Sequence, residues 1–297
     1  MKAKLIITLI RVLALFSLKT LQRLGAFAGA LAWRLDRPAA QVTRINLQRC
    51  FPELTEEERE RLGAASLRET GKTGLEMAMA WGWAPEKALA TIRSVRNEEL
   101  VEAARADGRG LVFLAPHLGN WELVGLYLSS RFRMAALYEP PKLAGLEPFM
   151  KAVRGRIGSE LVPTTNRGVL RLLQILRDGD VVGILPDQEP ALSGGEFAPF
   201  FGVQANSIKL VSKLIEKTGA RVLCIYAKRL PAGEGFEMVL READPDIYST
   251  DLATSVAALN RSVEACVREV PEQYQWEYKR FKRRPEGEAR WYPRRRR

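Results

Sequence analysis

The sequence predicts an α/β fold: a single domain with a mostly parallel or mixed sheet flanked by helices. Three observations carry that prediction. Short apolar runs at 111–115 (LVFLA), flanked by Gly110 and Pro116, and at 181–185 (VVGIL), ended by Pro186, read as strands buried on both faces. Segments of helical periodicity alternate with these runs, the order expected of strands paired through crossovers. The chain of 297 residues, 46% hydrophobic, contains no internal repeat, low-complexity tract or long linker, so one large core accounts for it.

The elements follow in order. An apolar run over residues 5–18, preceded by Lys2 and Lys4 and interrupted by Arg11, is the first. Its fourteen residues reach about 21 Å as a helix, short of the roughly 30 Å hydrocarbon core of a bilayer. A helix lying in the membrane interface fits best, with a tilted span as the alternative. Arg11 inside the run, with Lys19 and Arg23 behind it, argues against a cleaved signal peptide. The expected organisation is a membrane anchor over 1–35, a catalytic domain over 36–288 and a basic tail over 289–297.

Thr55 followed by Glu58 is a capping box that opens a helix pair reaching Trp83. A helix over 98–107 ends at Gly108, and the strand 111–115 leads into a helix starting near Gly119 or Asn120. Strands are expected at 134–138, 161–163, 181–185, 221–229 and 236–241. Helices are expected at 147–157, 168–177, 207–218 and 251–269.

The stretch that organises the chemistry is GLVFLAPHLGNWELVG, residues 110–125. Its strand delivers His117, the sole histidine, to the C-terminal edge of the sheet, where open α/β folds bind ligands. Glu122, in the first turn of the following helix, is expected to hold one imidazole nitrogen and leave the other free to take a proton. A second strand ends in Pro186-Asp187-Gln188 and places Asp187 and Gln188 at the same edge.

Charge is unevenly distributed. Residues 1–49 hold nine Lys/Arg and one acid, and residues 279–297 hold ten and two; each end thus carries +8, which leaves −5 for the body of a chain whose total is +11. Basic ends on an acidic body suit an anionic partner, such as a phospholipid surface, an acidic carrier protein or nucleic acid. A nucleic-acid-binding protein is disfavoured, because the basic residues flank an apolar helix and no recognition motif accompanies them. Cys50, Cys224 and Cys266 are far apart and odd in number, a pattern of neither disulfides nor zinc ligands. No metal and no cofactor is called for.

The pattern His117-x4-Glu122 resembles the first motif of the glycerolipid acyltransferase superfamily. Embedded as HLGNWE, it resembles the late acyltransferases of lipid A biosynthesis, the lauroyl and myristoyl transferases. Further blocks carry the likeness: NLQRCFPE at 46–53, YEPP at 138–141 with FMKAVRGR at 149–156, LPDQEP at 185–190 with GGEFAPFFG at 194–202, and QWEYKRFKRRPEGE at 275–288. Where the family usually has Thr, this chain has Asn206 or Ser207.

That resemblance implies transfer of laurate or myristate from acyl-carrier protein to a hydroxyl of a lipid A precursor, on the cytoplasmic face of a bacterial inner membrane. It implies a glycerolipid-acyltransferase-like fold. His117 would be the general base and Glu122 its orienting carboxylate. Arg154 (with Arg156 as its rival), Asp187, Gln188 and Asn120 would bind substrate. The phenylalanines of 197–201 would line an acyl channel, and backbone amides near Gly119 or Asn120 would stabilise the oxyanion. With no GxSxG, direct transfer without an acyl-enzyme is expected. The competing readings are the same chemistry on a glycerophospholipid, a glycosylated phosphoinositide or an amino-acid lipid, and an inactive membrane-bound scaffold.

Overall fold

The computed structural model describes residues 1–293. The apolar N-terminal run is not one helix. It divides into α1 (Lys2–Leu13) and α2 (Leu18–Arg34), because the Ser17 hydroxyl accepts the Thr20 N–H at 3.2 Å and starts a new helix inside the run. Among the described residues no helix is long and apolar enough to cross a membrane, so the tilted span is not supported. α1 buries none of its residues, while Leu5, Leu9 and Leu15 stand 55–84% exposed.

α2 joins the body instead. It lies along α4 (Glu56–Gly82) with Gly25 and Gly29 against the backbone at Gly71 and Leu67, where any Cβ would collide. The chain passes from α2 to α4 through α3 (Pro38–Cys50), opened by proline in its first turn. α4 begins with the expected capping box of Thr55 and Glu58 but is one continuous helix of 27 residues, not a pair.

Beyond α5 (Pro85–Leu89), β1 (Ile92–Arg96) and α6 (Glu99–Arg105) come β2 (Leu111–Leu114), α7 (Trp121–Arg131) and β3 (Met134–Tyr138). Then follow α8 (Glu147–Arg154), β4 (Glu160–Pro163), α9 (Asn166–Arg177) and β5 (Val181–Ile184). The chain continues with β6 (Gly195–Phe200), β7 (Val203–Ile208), α10 (Leu210–Thr218), β8 (Arg221–Arg229), β9 (Phe236–Glu242) and α11 (Leu252–Glu269). Seven strands form one sheet in the order β1-β9-β8-β2-β5-β3-β4, parallel except for the β8–β9 pair.

β2 is central and buried along its whole length. Val112 and Leu114 enter one core with α9, α10 and α11, while Leu111 and Phe113 enter the other with α7 and Met79 of α4. In its pairing with β5, Leu114 lies opposite Ile184. The third residue beyond each is His117 and Asp187, so the register itself brings these two side chains together.

Three expected features differ. Residues 195–208 form an antiparallel hairpin of β6 and β7, so the helix predicted from Ser207 starts only at Leu210. Phe200 and Phe201 of that hairpin are buried against Phe51, Tyr274, Trp276 and Phe281, which makes them core and not channel. The basic tail expected over 289–297 is also pinned at Trp291 and Tyr292. The Tyr292 hydroxyl donates to Asn46 Oδ1 at 2.5 Å and accepts the Phe281 N–H at 3.1 Å, and Arg284 stacks 3.9 Å over Trp291. Residues 294–297, the terminal arginines, lie outside the described residues.

Candidate active site

Asp187, not Glu122, holds the imidazole. One carboxylate oxygen of Asp187 lies 2.9 Å from His117 Nδ1, and the other accepts the His117 backbone N–H at 2.9 Å. Asp187 is 3% exposed. Burial alone would raise its pKa; the adjoining His117, through its charge and two hydrogen bonds, outweighs that and holds the carboxyl below its usual range. An acceptor-only carboxylate on Nδ1 puts the proton on Nδ1 and leaves the lone pair on Nε2. The amide nitrogen of Gln188, 3.1 Å from Nε2, is the donor that such a lone pair requires, and it lies 3.1 Å from Gln275 Oε1 as well.

Glu122 faces the same space but is otherwise engaged. Its carboxylate accepts from Trp81 Nε1 at 2.8 Å and from Arg154 Nε at 3.1 Å, and a second Arg154 nitrogen pairs with the other oxygen. The reason is local geometry: Glu122 is the second residue of α7, aimed at the end of α4 and at α8, which bring Trp81 and Arg154. Arg156 is set apart from Arg154. It donates to the Ala80 and Trp83 carbonyls at 2.8 Å each, closing the C-terminal end of α4. The arginine in the cavity is Arg154.

Asn120 is not exposed to a substrate. It is 2% exposed; its Oδ1 caps α7 by accepting the Leu123 N–H at 2.9 Å, and its Nδ2 donates to Glu76 at 3.1 Å. The amides expected to stabilise an oxyanion are likewise committed: Gly119 N–H to the Gln273 carbonyl at 3.0 Å and Asn120 N–H to that of Ala227 at 3.1 Å. Gly119 takes φ +61° in this turn, and a side chain there would strike the Ala227 carbonyl.

Beneath the loop lies a charge network. Arg229, at the end of β8, binds Glu76 through two contacts of 2.6 Å and Glu69 at 2.6 Å. Gln22 of α2 donates to Glu76 at 2.7 Å, and Thr73 reaches the Gly119 carbonyl at 3.2 Å. Burial works against the Arg229 charge, but the two carboxylates raise its pKa nonetheless. The network was not anticipated. Its signal was a charge inside each of two apolar stretches, Glu76 in GLEMAMA and Arg229 ending RVLCIYAKR.

His117, Glu122, Arg154 and Gln188 open onto one cavity of about 360 Å³. Leu126, Met134, Ala136, Leu137 and Leu161 supply its apolar walls. Trp121 packs beside the imidazole with ring centroids 4.9 Å apart. The arrangement is an imidazole whose Nε2 lone pair is met by the Gln188 amide, a cation already paired to a carboxylate and an apolar chamber.

Residues 2–283 match the family described as bacterial lipid A biosynthesis acyltransferase. The chain belongs to that family. It is similar to the lipid A biosynthesis palmitoleoyltransferase of Escherichia coli (strain K12), 30% identical over 273 residues, 91% of this chain and 87% of that one. The lauroyltransferase of the same organism is 29% identical over 269 residues, 89% and 86% of the two chains. The myristoyltransferase is 28% identical over 277 residues, 92% and 83%.

In this lipid A acyltransferase the closing motif is structural support for the site. Asn46, from NLQRCFPE, donates to the Trp276 and Tyr278 carbonyls at 2.7 and 2.8 Å. Arg280, 3% exposed, donates to the Asn206 carbonyl at 2.7 Å and the Ser207 hydroxyl at 2.6 Å, which gives those two positions a role in holding the hairpin. Gln275 N–H donates to the His117 carbonyl at 3.2 Å. The two distant sequence blocks thus meet behind the histidine.

Proposed function

We propose that this acyltransferase moves a fatty acyl chain, laurate or myristate, from an acyl-carrier-protein thioester to a hydroxyl of a lipid A precursor. The observation that carries the reading is His117, oriented by Asp187, with Nε2 against Gln188 at the wall of a cavity that also holds Arg154. His117 takes the hydroxyl proton as the oxygen attacks the thioester carbonyl. Asp187 fixes the tautomer and stabilises the imidazolium. Arg154, tethered by Glu122, meets an anionic group of the acceptor with its planar fork. The exposed apolar residues of α1, between the basic Lys2, Lys4 and Arg11, set the enzyme on the inner-membrane surface from the cytoplasmic side.

The test is product analysis. Purified enzyme, a series of acyl-carrier thioesters and a tetra-acylated precursor should yield, by mass spectrometry, a precursor heavier by one acyl group. Acylation of a glycerophospholipid with none of the lipid A precursor would overturn the reading.

A further inference from the structure

The transfer needs a donor for the negative charge that collects on the thioester oxygen, and the loop around His117 does not offer one. The N–H groups of His117, Leu118, Gly119 and Asn120 all donate inside the protein, to Asp187 and to the carbonyls of Pro116, Gln273 and Ala227. Resting on the function proposed above, we infer that the Gln188 side-chain amide is the oxyanion donor, and that it is released from His117 when the acceptor hydroxyl takes its place at Nε2.

The geometry is an exchange of hydrogen bonds. At rest one Gln188 N–H points at His117 Nε2 and the other at Gln275 Oε1. Nε2 has a single lone pair, so the acceptor hydroxyl can give its proton there only by displacing the Gln188 N–H, and the protonated nitrogen, now a donor, cannot take that N–H back. The displaced Gln188 N–H is therefore unpaired as the oxygen–carbon bond forms and the carbonyl electron pair moves onto oxygen. The oxyanion forms next to Nε2, within reach of the freed N–H, while Gln275 keeps the amide from swinging away. Such a preset donor stabilises the transition state more than the ground state. Collapse of the intermediate then breaks the carbon–sulfur bond, and the thiolate takes the proton from Nε2 and leaves as a thiol. Two other sources border the cavity. The Tyr278 hydroxyl accepts the Glu189 N–H at 2.9 Å and retains its own proton, and the Trp121 and Glu122 N–H groups at the start of α7 have no protein acceptor among the described residues. Neither hydrogen-bonds to Nε2, whereas Gln188 is 3.1 Å from it.

Gln188→Leu removes the amide at similar size, and Tyr278→Phe removes the rival hydroxyl. Purified variants would be assayed with the acyl-carrier thioester and the tetra-acylated precursor, with thermal unfolding as the check on folding. Gln188→Leu should lower kcat by about 10²–10³-fold while the acceptor KM stays level or falls, because the base is no longer covered. Tyr278→Phe should keep kcat within about 3-fold. A Gln188 that merely covers the resting base predicts the opposite sign for Gln188→Leu, an unchanged or higher kcat, and that result would overturn the inference. So would a loss of kcat confined to Tyr278→Phe, or loss in neither, which leaves the start of α7. If Gln188→Leu unfolds, Gln188→Glu keeps the shape and replaces the donor with an ionised acceptor; near-normal kcat there overturns the inference as well. His117→Ala, run alongside, separates the two claims: an inactive His117→Ala beside a normal Gln188→Leu rejects the oxyanion assignment alone, whereas an active His117→Ala rejects the function from which it follows.

Discussion

Asp187→Asn asks which carboxylate orients the histidine. The wild-type carboxylate accepts two hydrogen bonds from His117, one from the ring and one from the backbone, each 2.9 Å long. Asparagine has one acceptor oxygen. If that oxygen keeps the backbone N–H, the amide nitrogen faces Nδ1, which must then carry the lone pair; the proton moves to Nε2 and the base is lost. If the oxygen faces the ring, the amide nitrogen opposes the His117 N–H and leaves it unpaired in a site where Asp187 is 3% exposed. Wrong-tautomer substitution at such a position costs about 10³–10⁴-fold in kcat, roughly 4–5.5 kcal/mol. Steady-state kinetics of acyl transfer would measure it, with Glu122→Gln as the partner experiment. Glu122→Gln loosens Arg154 and should raise the acceptor KM more than it lowers kcat. The argument fails if Asp187→Asn keeps kcat within about 10-fold of wild type while Glu122→Gln loses it.

Three further outcomes follow from the same structure. Leu5→Glu with Leu9→Glu places charges on the exposed face of α1 and should abolish sedimentation with anionic vesicles at high salt; unchanged salt-resistant binding would refute an apolar anchor. Arg229→Met leaves Glu76, which is 0% exposed, without its cation, and should cost about 3–5 kcal/mol of stability; a melting temperature unchanged from wild type contradicts a buried ion pair. Burial raises the pKa of Glu264, although it accepts the Phe201 N–H at 2.7 Å. A carboxyl raised in the folded state favours folding fully below its unfolded pKa and loses that contribution as pH rises through the folded value. Glu264→Gln should therefore raise the melting temperature at pH 7, on the order of 2 °C, with the difference vanishing near pH 4; an equal difference at both pH values would contradict it.

Sequence reasoning reached the site through β2 and β5. Strands buried on both faces announce themselves as unbroken apolar runs, and proline after each marks where the chain leaves the sheet, so His117, Asp187 and Gln188 could be placed at one edge. Which carboxylate met the imidazole could not be read. Glu122 is five residues from His117 along the chain and Asp187 is seventy, yet the parallel register makes the distant one the neighbour while the direction of α7 turns the near one toward Arg154. The β6–β7 hairpin was hidden because Pro199 and the sequence FAPFF show no alternation, and its turn depends on the positive φ of Phe201 and Gly202. The break between α1 and α2 rests on one serine in an apolar run. Asn120 looked available because its capping role becomes apparent only once the start of α7 is known.

The zipper between the histidine loop and residues 273–278 bears on how the enzyme comes into being. Gly119 donates to Gln273, Gln275 donates to His117, and Asn46 ties the Trp276–Tyr278 stretch to α3. On a ribosome the sheet strands emerge well before this segment does. A chain ending at residue 270 would contain every strand of the sheet and both His117 and Asp187, yet Gln188 would lack the Gln275 oxygen and the loop would lack its clamp. The protein would therefore stay silent until almost all of it had been translated, and premature termination near its end would remove the buried Tyr274, Trp276 and Phe281 along with function.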